Sequence, residues 1–197
     1  MTTEKKFLDW LERVLTPLAK VIGENKYLVA IRDGFLLSTP LLIVGSVFLL
    51  IANFPLPQWD TWMSHLLGKD WATMMSVPAS ASFDVMTILA VVGIAYSLGK
   101  QFNVDAMQAG IIALVSFFIV TPYQTLFTPE NSSKVYEVTS LPLKWMGSSG
   151  LFLGMIVALI ATRLFVAIVR KGWTIKMPEG VPPTVVKSFE ALIPSFL

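Results

Sequence analysis

The sequence predicts an all-α integral membrane protein, with four transmembrane helices flanked by N-terminal and C-terminal amphipathic helices that lie at the membrane surface. Three observations lead there. Hydrophobic residues fill 54% of the 197 positions and charged residues only 14%, where a soluble domain carries about 25% charge. Mean hydropathy is +0.67. Four strongly apolar stretches approach or reach the roughly 20 residues needed to cross a bilayer. Two further stretches, one at each end, mix apolar and charged residues at the helical period.

Taken in order, residues 3–22 place Phe7, Leu11, Val14, Leu18 and Val21 on one stripe, while Lys5, Lys6, Asp9, Glu12, Arg13 and Lys20 cover most of the rest. That pattern predicts an amphipathic helix on the cytoplasmic surface, kinked or divided at Pro17. The same charges interrupt any apolar core of a cleavable signal peptide. The first crossing runs from about Gly34 to Phe54 and is uncharged throughout, with Pro40 expected to bend it. Arg32 and Asp33 stand just before it. They serve either as an interfacial anchor or as an ion pair that fixes this helix against a neighbour.

From Pro55 to Ser80 the chain sets Trp59, Trp62 and Trp71 among Asp60, His65, Lys69 and Asp70, which predicts an interfacial loop or half-buried helix. A crossing here would bring charges into the bilayer at about 2.5–3.5 kcal/mol each near its centre. If a fifth crossing exists, it comes from about Trp59 to Pro78 and alters the sides assigned below. The second crossing, about Ala81 to Leu98, holds Asp84 near one end and a Gly93-x-x-x-Ser97 spacing. The third, about Ala106 to Thr121, holds Gln108 and Ala106-x-x-x-Gly110. A short turn around Lys100 to Asn103 makes these two an antiparallel hairpin. Asp84 reads either as a helix cap at the water boundary or as a polar contact inside the bundle.

Residues 122–144 form the longest polar connection. The fourth crossing, about Trp145 to Val169, repeats Gly150, Gly154 and Ala158 on one face. Small residues at that spacing let membrane helices approach closely, either within one chain or between subunits. Arg163, inside this span, is long enough to reach out toward Arg170 and Lys171. After Met177 come Pro178, Gly180, Pro182 and Pro183, and then Val185, Val186, Phe189, Leu192 and Ile193 at helical spacing up to Pro194. About 11 residues span only about 16 Å, so this helix is expected to lie along the membrane as a connector.

Several function classes drop out. A net charge of +2 is too small to argue for nucleic acid. With no cysteine there is no disulfide and no thiolate chemistry in these residues, and His65 alone makes a poor metal site. No G-x-x-x-x-G-K loop marks an ATP-driven pump. No catalytic residue, cofactor or metal is therefore assigned, and no sugar-contacting residue is identified. With four crossings, 12 of the 15 lysines and arginines fall on one side, leaving Lys69, Lys134 and Lys144 on the other. By the positive-inside rule both ends are cytoplasmic.

Ala30-Ile31-Arg32-Asp33-Gly34-Phe35, followed by Pro40-Leu41 and Gly45-Ser46, together with the closing VPPTVVKSFEALIP, resembles the membrane subunit (IIC) of phosphotransferase-system sugar permeases. The branch it is most similar to handles lactose, cellobiose and chitobiose. The resemblance implies an N-terminal domain that makes a homodimer interface (residues 1–176), then an amphipathic connector (177–197) leading to a sugar-binding domain that these residues do not include. It also implies a bacterial inner-membrane protein that carries a disaccharide while cytoplasmic IIB and IIA subunits, separate chains or domains, supply the phosphate. Gly150, Gly154 and Ala158 are then candidates for the subunit interface, and Arg32 with Asp33 for a structural charge pair. The alternative is a membrane interaction or scaffold protein, derived from such a permease, that no longer transports.

Overall fold

The structure, a computed structural model, describes residues 13, 15–17, 19, 20, 22–129, 134–175, 178 and 181–196. Helix α1 spans Lys26–Ala52, capped by the Asn25 side chain, which accepts from the amides of Tyr27 and Leu28. Its 27 residues make a rod of about 40 Å, and it continues through Pro40. The short helix α2 (Trp59–Leu67) ends at Gly68, whose φ of 91° reverses the chain at a conformation that suits glycine. Helix α3 (Trp71–Phe83) then runs, across a break at Asp84 and Val85, into α4 (Met86–Gln101). Helix α5 (Ala106–Val120) returns antiparallel to α4 after a turn in which Asn103 takes a φ of 55° and Asp105 caps the amides of Met107 and Gln108.

A two-stranded antiparallel hairpin follows, β1 (Gln124–Phe127) paired with β2 (Tyr136–Thr139), with Leu126 opposite Glu137. One short helix, α6 (Leu143–Met146), and a 3₁₀ turn (Ser148–Gly150) lead into α7 (Leu151–Arg170). The chain closes with α8 (Pro183–Glu190) and α9 (Leu192–Phe196).

Helix α4 is the hub of the packing. It touches α1, α5 and α7, and α1 extends beyond it to lie along α3. The core consists of Ala90, Val91, Ile94 and Ala95 of α4, Ala113 and Phe117 of α5, and Ala158 and Ala161 of α7. Three segments are long and apolar enough to cross a membrane, Lys26–Ala52, Trp71–Gln101 and Ser148–Arg170, while Ala106–Val120 is apolar but shorter.

Several expectations change. The fold is not wholly α, because the connection at 122–144 contains the β-hairpin. Residues 71–80 are not an interfacial loop; they are the first part of the second membrane-length segment, which starts at Trp71 and not at Ala81. The charges that argue against a crossing stop at Asp70, and from Trp71 to Phe83 the helix carries none. Trp71 is buried, and its indole N–H donates to Asp60 Oδ1 at 3.0 Å, which folds α2 back onto the start of α3. At the C-terminal end, the expected single helix is two pieces separated at Ala191, and Pro194 lies buried inside the second piece, which rests on α7. The apolar stripe expected at residues 3–22 lies mostly outside the described residues; those described there, 13, 15–17, 19, 20 and 22, are helical.

Candidate functional site

The buried positions of α1 are Ala30, Gly34, Ser38 and Gly45, all of them small. Their spacing lays one narrow strip along the helix, and the structure shows what that strip is for. A Cβ on Gly34 would lie 2.4 Å from the Ile94 amide nitrogen, and one on Gly93 would lie 2.6 Å from the Gly34 carbonyl oxygen. The two glycines thus face each other where α1 crosses α4, backbone against backbone. Lower on the same helix, a Cβ on Gly45 would meet Ser82 Cβ at 2.6 Å. Helices in lipid gain little from apolar contact as such, so close approach through small residues is what holds them together. The Ala30 to Phe35 motif therefore encodes a helix crossing, with Ala30 and Gly34 turned inward and the charged pair turned outward.

Arg32 and Asp33 pair with each other: Arg32 Nε donates to Asp33 Oδ1 at 2.9 Å and a terminal guanidinium nitrogen lies 2.8 Å from the same oxygen. Arg32 is exposed and Asp33 half-buried, and their ion pair is with each other.

The face of Gly150, Gly154 and Ala158 also turns inward. A Cβ on Gly154 would sit 2.7 Å from Thr87 Cγ2 and 2.8 Å from Val91 Cγ2, and Ala158 is fully buried in the core. Gly150 is pressed against the Trp145 carbonyl in the 3₁₀ turn. Within this chain Gly154 and Ala158 pack against α4, in keeping with the reading of this face as internal packing.

At the break between α3 and α4, Asp84 is the C-cap residue of α3 and lies in the middle of the Trp71–Gln101 segment. A helix interruption frees backbone groups that need other partners. Nearby, Thr87 Oγ1 donates to the Gly147 carbonyl at 2.6 Å in a buried bond that ties α4 to the turn before α7. Phe83, Asp84, Lys144, Ser148 and Ser149 border a cavity of about 350 Å³ beside this break. Most of its polar lining is exposed, with Asp84 half-buried.

The opposite end of the bundle is basic. Lys26 at the start of α1 donates to the Gln101 carbonyl at 3.2 Å, and Arg170 at the end of α7 donates to the Phe102 carbonyl at 3.3 Å. The N-terminus of α1 and the C-termini of α4 and α7 therefore meet. Arg163 reaches out to the Phe102 ring at 5.0 Å, as its long side chain allows, and Lys100 lies over Tyr96 at 4.6 Å. Sequence reasoning placed these cations on one side by counting, but missed Phe102 as their meeting point. A lone aromatic in a turn carries no periodic signal.

The family model described as "Phosphotransferase system, EIIC" matches residues 32–197. The PTS system cellobiose-specific EIIC component of Geobacillus stearothermophilus is 43% identical over 190 residues, covering 96% of this chain and 42% of that protein. The lichenan permease IIC component of Bacillus subtilis (strain 168) is 43% identical over 187 residues, covering 94% of this chain and 41% of its own. Among solved structures, the transporter ChbC, the IIC component of the N,N'-diacetylchitobiose-specific phosphotransferase system, superposes with a TM-score of 0.88 at 43% identity. That match covers 95% of this chain and 44% of ChbC. The chain thus spans less than half the length of the relatives it matches, and over that span it belongs to the EIIC family of the phosphotransferase system, in its cellobiose branch.

Proposed function

We propose that this chain supplies the fixed, interface-forming half of a EIIC permease that moves a disaccharide of the cellobiose or chitobiose type across the bacterial cell membrane while separate IIB and IIA subunits phosphorylate it. The observation that carries this reading is the closely packed bundle around α4, shared with ChbC over 95% of the chain. Small residues at Gly34, Gly93 and Gly154 put backbones and short side chains in contact, which suits a scaffold better than a moving gate. Sugar recognition then belongs to the part of the longer relatives that has no counterpart here. Residues 1–176 act as the membrane domain and 177–197 as the connector, with both on the cytoplasmic side at their ends.

The proposed homodimer needs a surface other than the Gly154 face. The β-hairpin offers one: Leu126, Phe127, Tyr136 and Val138 are exposed, and two strands alone are marginally stable in water. It lies between two apolar helices in sequence, outside the membrane-length segments. Because the chain has no cysteine, a single Leu126→Cys change reports directly. In native membranes this variant is expected to cross-link to a dimer with a short bis-maleimide, while Ile119→Cys, on the exposed side of α5, is not. Equal or absent cross-linking at both sites removes the hairpin from the interface.

A further inference from the structure

Two cavities lie end to end along the seam between α1 and α4. One, of about 320 Å³, is bordered by Asp33, Leu36, Ser97 and Lys100. The other, of about 250 Å³, is bordered by Leu41, Ile88, Leu89 and Val92. Leu37 and Tyr96 line both, so the two make one continuous groove. From Lys100 back to Ile88 it follows α4 for about 18 Å at 1.5 Å per residue, close to the roughly 15 Å of half a hydrocarbon core. Its two ends differ in chemistry. The Ile88 end is apolar, with Leu37 and Leu41 exposed along its rim. The mouth carries charges of both signs. Lys100 is exposed there, its ammonium 4.6 Å from the centroid of the Tyr96 ring, and Asp33 is half-buried. Arg32 makes both of its contacts with one oxygen of that carboxylate, Oδ1, at 2.9 and 2.8 Å, so Oδ2 keeps its capacity to accept.

We propose that this groove holds one acyl chain of a phospholipid whose headgroup carries a primary amine, the phosphatidylethanolamine class. The charges at the mouth decide the occupant. The ammonium of such a head brings N–H donors to Asp33 Oδ2, and its phosphate brings acceptors to Lys100 and Arg32. A choline head has the same two charges but no N–H to donate, and a phosphoglycerol head offers Asp33 only neutral hydroxyls. The apolar run below the mouth then takes the chain, over about the depth of one leaflet. Tyr96, half-buried where the two cavities join, has the amphipathic ring that favours the boundary between headgroups and hydrocarbon. The inference does not depend on transport, only on this end of the bundle lying at the headgroup layer.

Native mass spectrometry is the test, on the purified protein released from detergent that contains equal phosphatidylethanolamine, phosphatidylcholine and phosphatidylglycerol with matched acyl chains. Phosphatidylethanolamine is expected to be retained at least about five-fold over phosphatidylcholine, because only its head makes charge-assisted hydrogen bonds to a carboxylate, and above phosphatidylglycerol. Asp33→Asn keeps the shape of the mouth and is expected to bring phosphatidylethanolamine down to the level of phosphatidylcholine. Leu37→Trp, at an exposed position that lines both cavities, is expected to lower retention of all three lipids. Thermal unfolding of the unmodified protein reads the same preference without any variant: phosphatidylethanolamine should raise the midpoint more than phosphatidylcholine does. The proposal is overturned if those two lipids are retained equally, if phosphatidylglycerol is retained as well as phosphatidylethanolamine, or if the preference survives in a folded Asp33→Asn variant. It is also overturned if no lipid is retained because a second copy of the chain fills the groove.

Discussion

At the scale of single residues, the glycines at the α1–α4 crossing are the most demanding positions in the molecule. A methyl group on Gly93 would lie 2.6 Å from a backbone oxygen, which has no rotamer to yield. Gly93→Ala is thus expected to cost about 1–3 kcal/mol, as overpacking does, and to lower the unfolding midpoint by several degrees. Gly23→Ala, with nothing within 4 Å of its would-be Cβ, should change nothing. Circular dichroism melts in one detergent compare the two; equal midpoints would mean the crossing is looser than these distances imply. Thr87→Val keeps the shape and removes the donor to the buried Gly147 carbonyl, at a cost of about 1–3 kcal/mol for the acceptor left unsatisfied. At this scale the sequence showed which residues were small but not which partner each would meet. The Gly93-x-x-x-Ser97 spacing marks a contact face, while its opposite, Gly34, sits nearly sixty positions away.

At the scale of elements, Gly154 separates two accounts of α7. An interface face would respond to Gly154→Leu by losing the dimer and keeping the fold. Packing on Thr87 and Val91, both stiff β-branched side chains, predicts that the protomer itself loses stability. Analytical ultracentrifugation beside a thermal melt distinguishes them: the expected result is a lowered midpoint, and a stable, cleanly monomeric variant would restore the interface reading. Legibility varied by element for physical reasons. Helix α5 was read to within a residue at each end, because Asp105 is a strong cap and Pro122 a clear stop. The start of the second membrane segment was misplaced because Trp71 continues a run of interfacial signals while opening an uncharged helix. The hairpin was missed because four-residue strands give too few alternations to register against a polar loop, and Gln124–Phe127 does not alternate cleanly in burial.

At the scale of the whole molecule, the apolar segments run between two unlike ends. One gathers Lys26, Arg163 and Arg170 on Phe102; the other carries the helix break, the cavity at Asp84 and the turn before α7. The basic end is proposed to face the cytoplasm. Lys20→Cys is then expected to react with an impermeant maleimide only after the membrane is opened, and Lys144→Cys, exposed and outside the hairpin, in intact cells; the reverse pattern would invert the orientation. The broad fold class was legible because it rests on composition, which survives any error in boundaries. A binding site is a convergence of distant residues, and here the polar groups that converge are few. Lys144, Ser148 and Ser149 at the cavity are exposed, whereas a disaccharide needs a matched partner for most of its hydroxyls. The central claim, that this chain is the scaffold half and does not itself hold the sugar, is tested most directly by isothermal titration of cellobiose and of N,N'-diacetylchitobiose into the purified protein. The account predicts no saturable heat up to about 10 mM of either sugar, weaker than about −3 kcal/mol; saturable binding at millimolar affinity or better would contradict it.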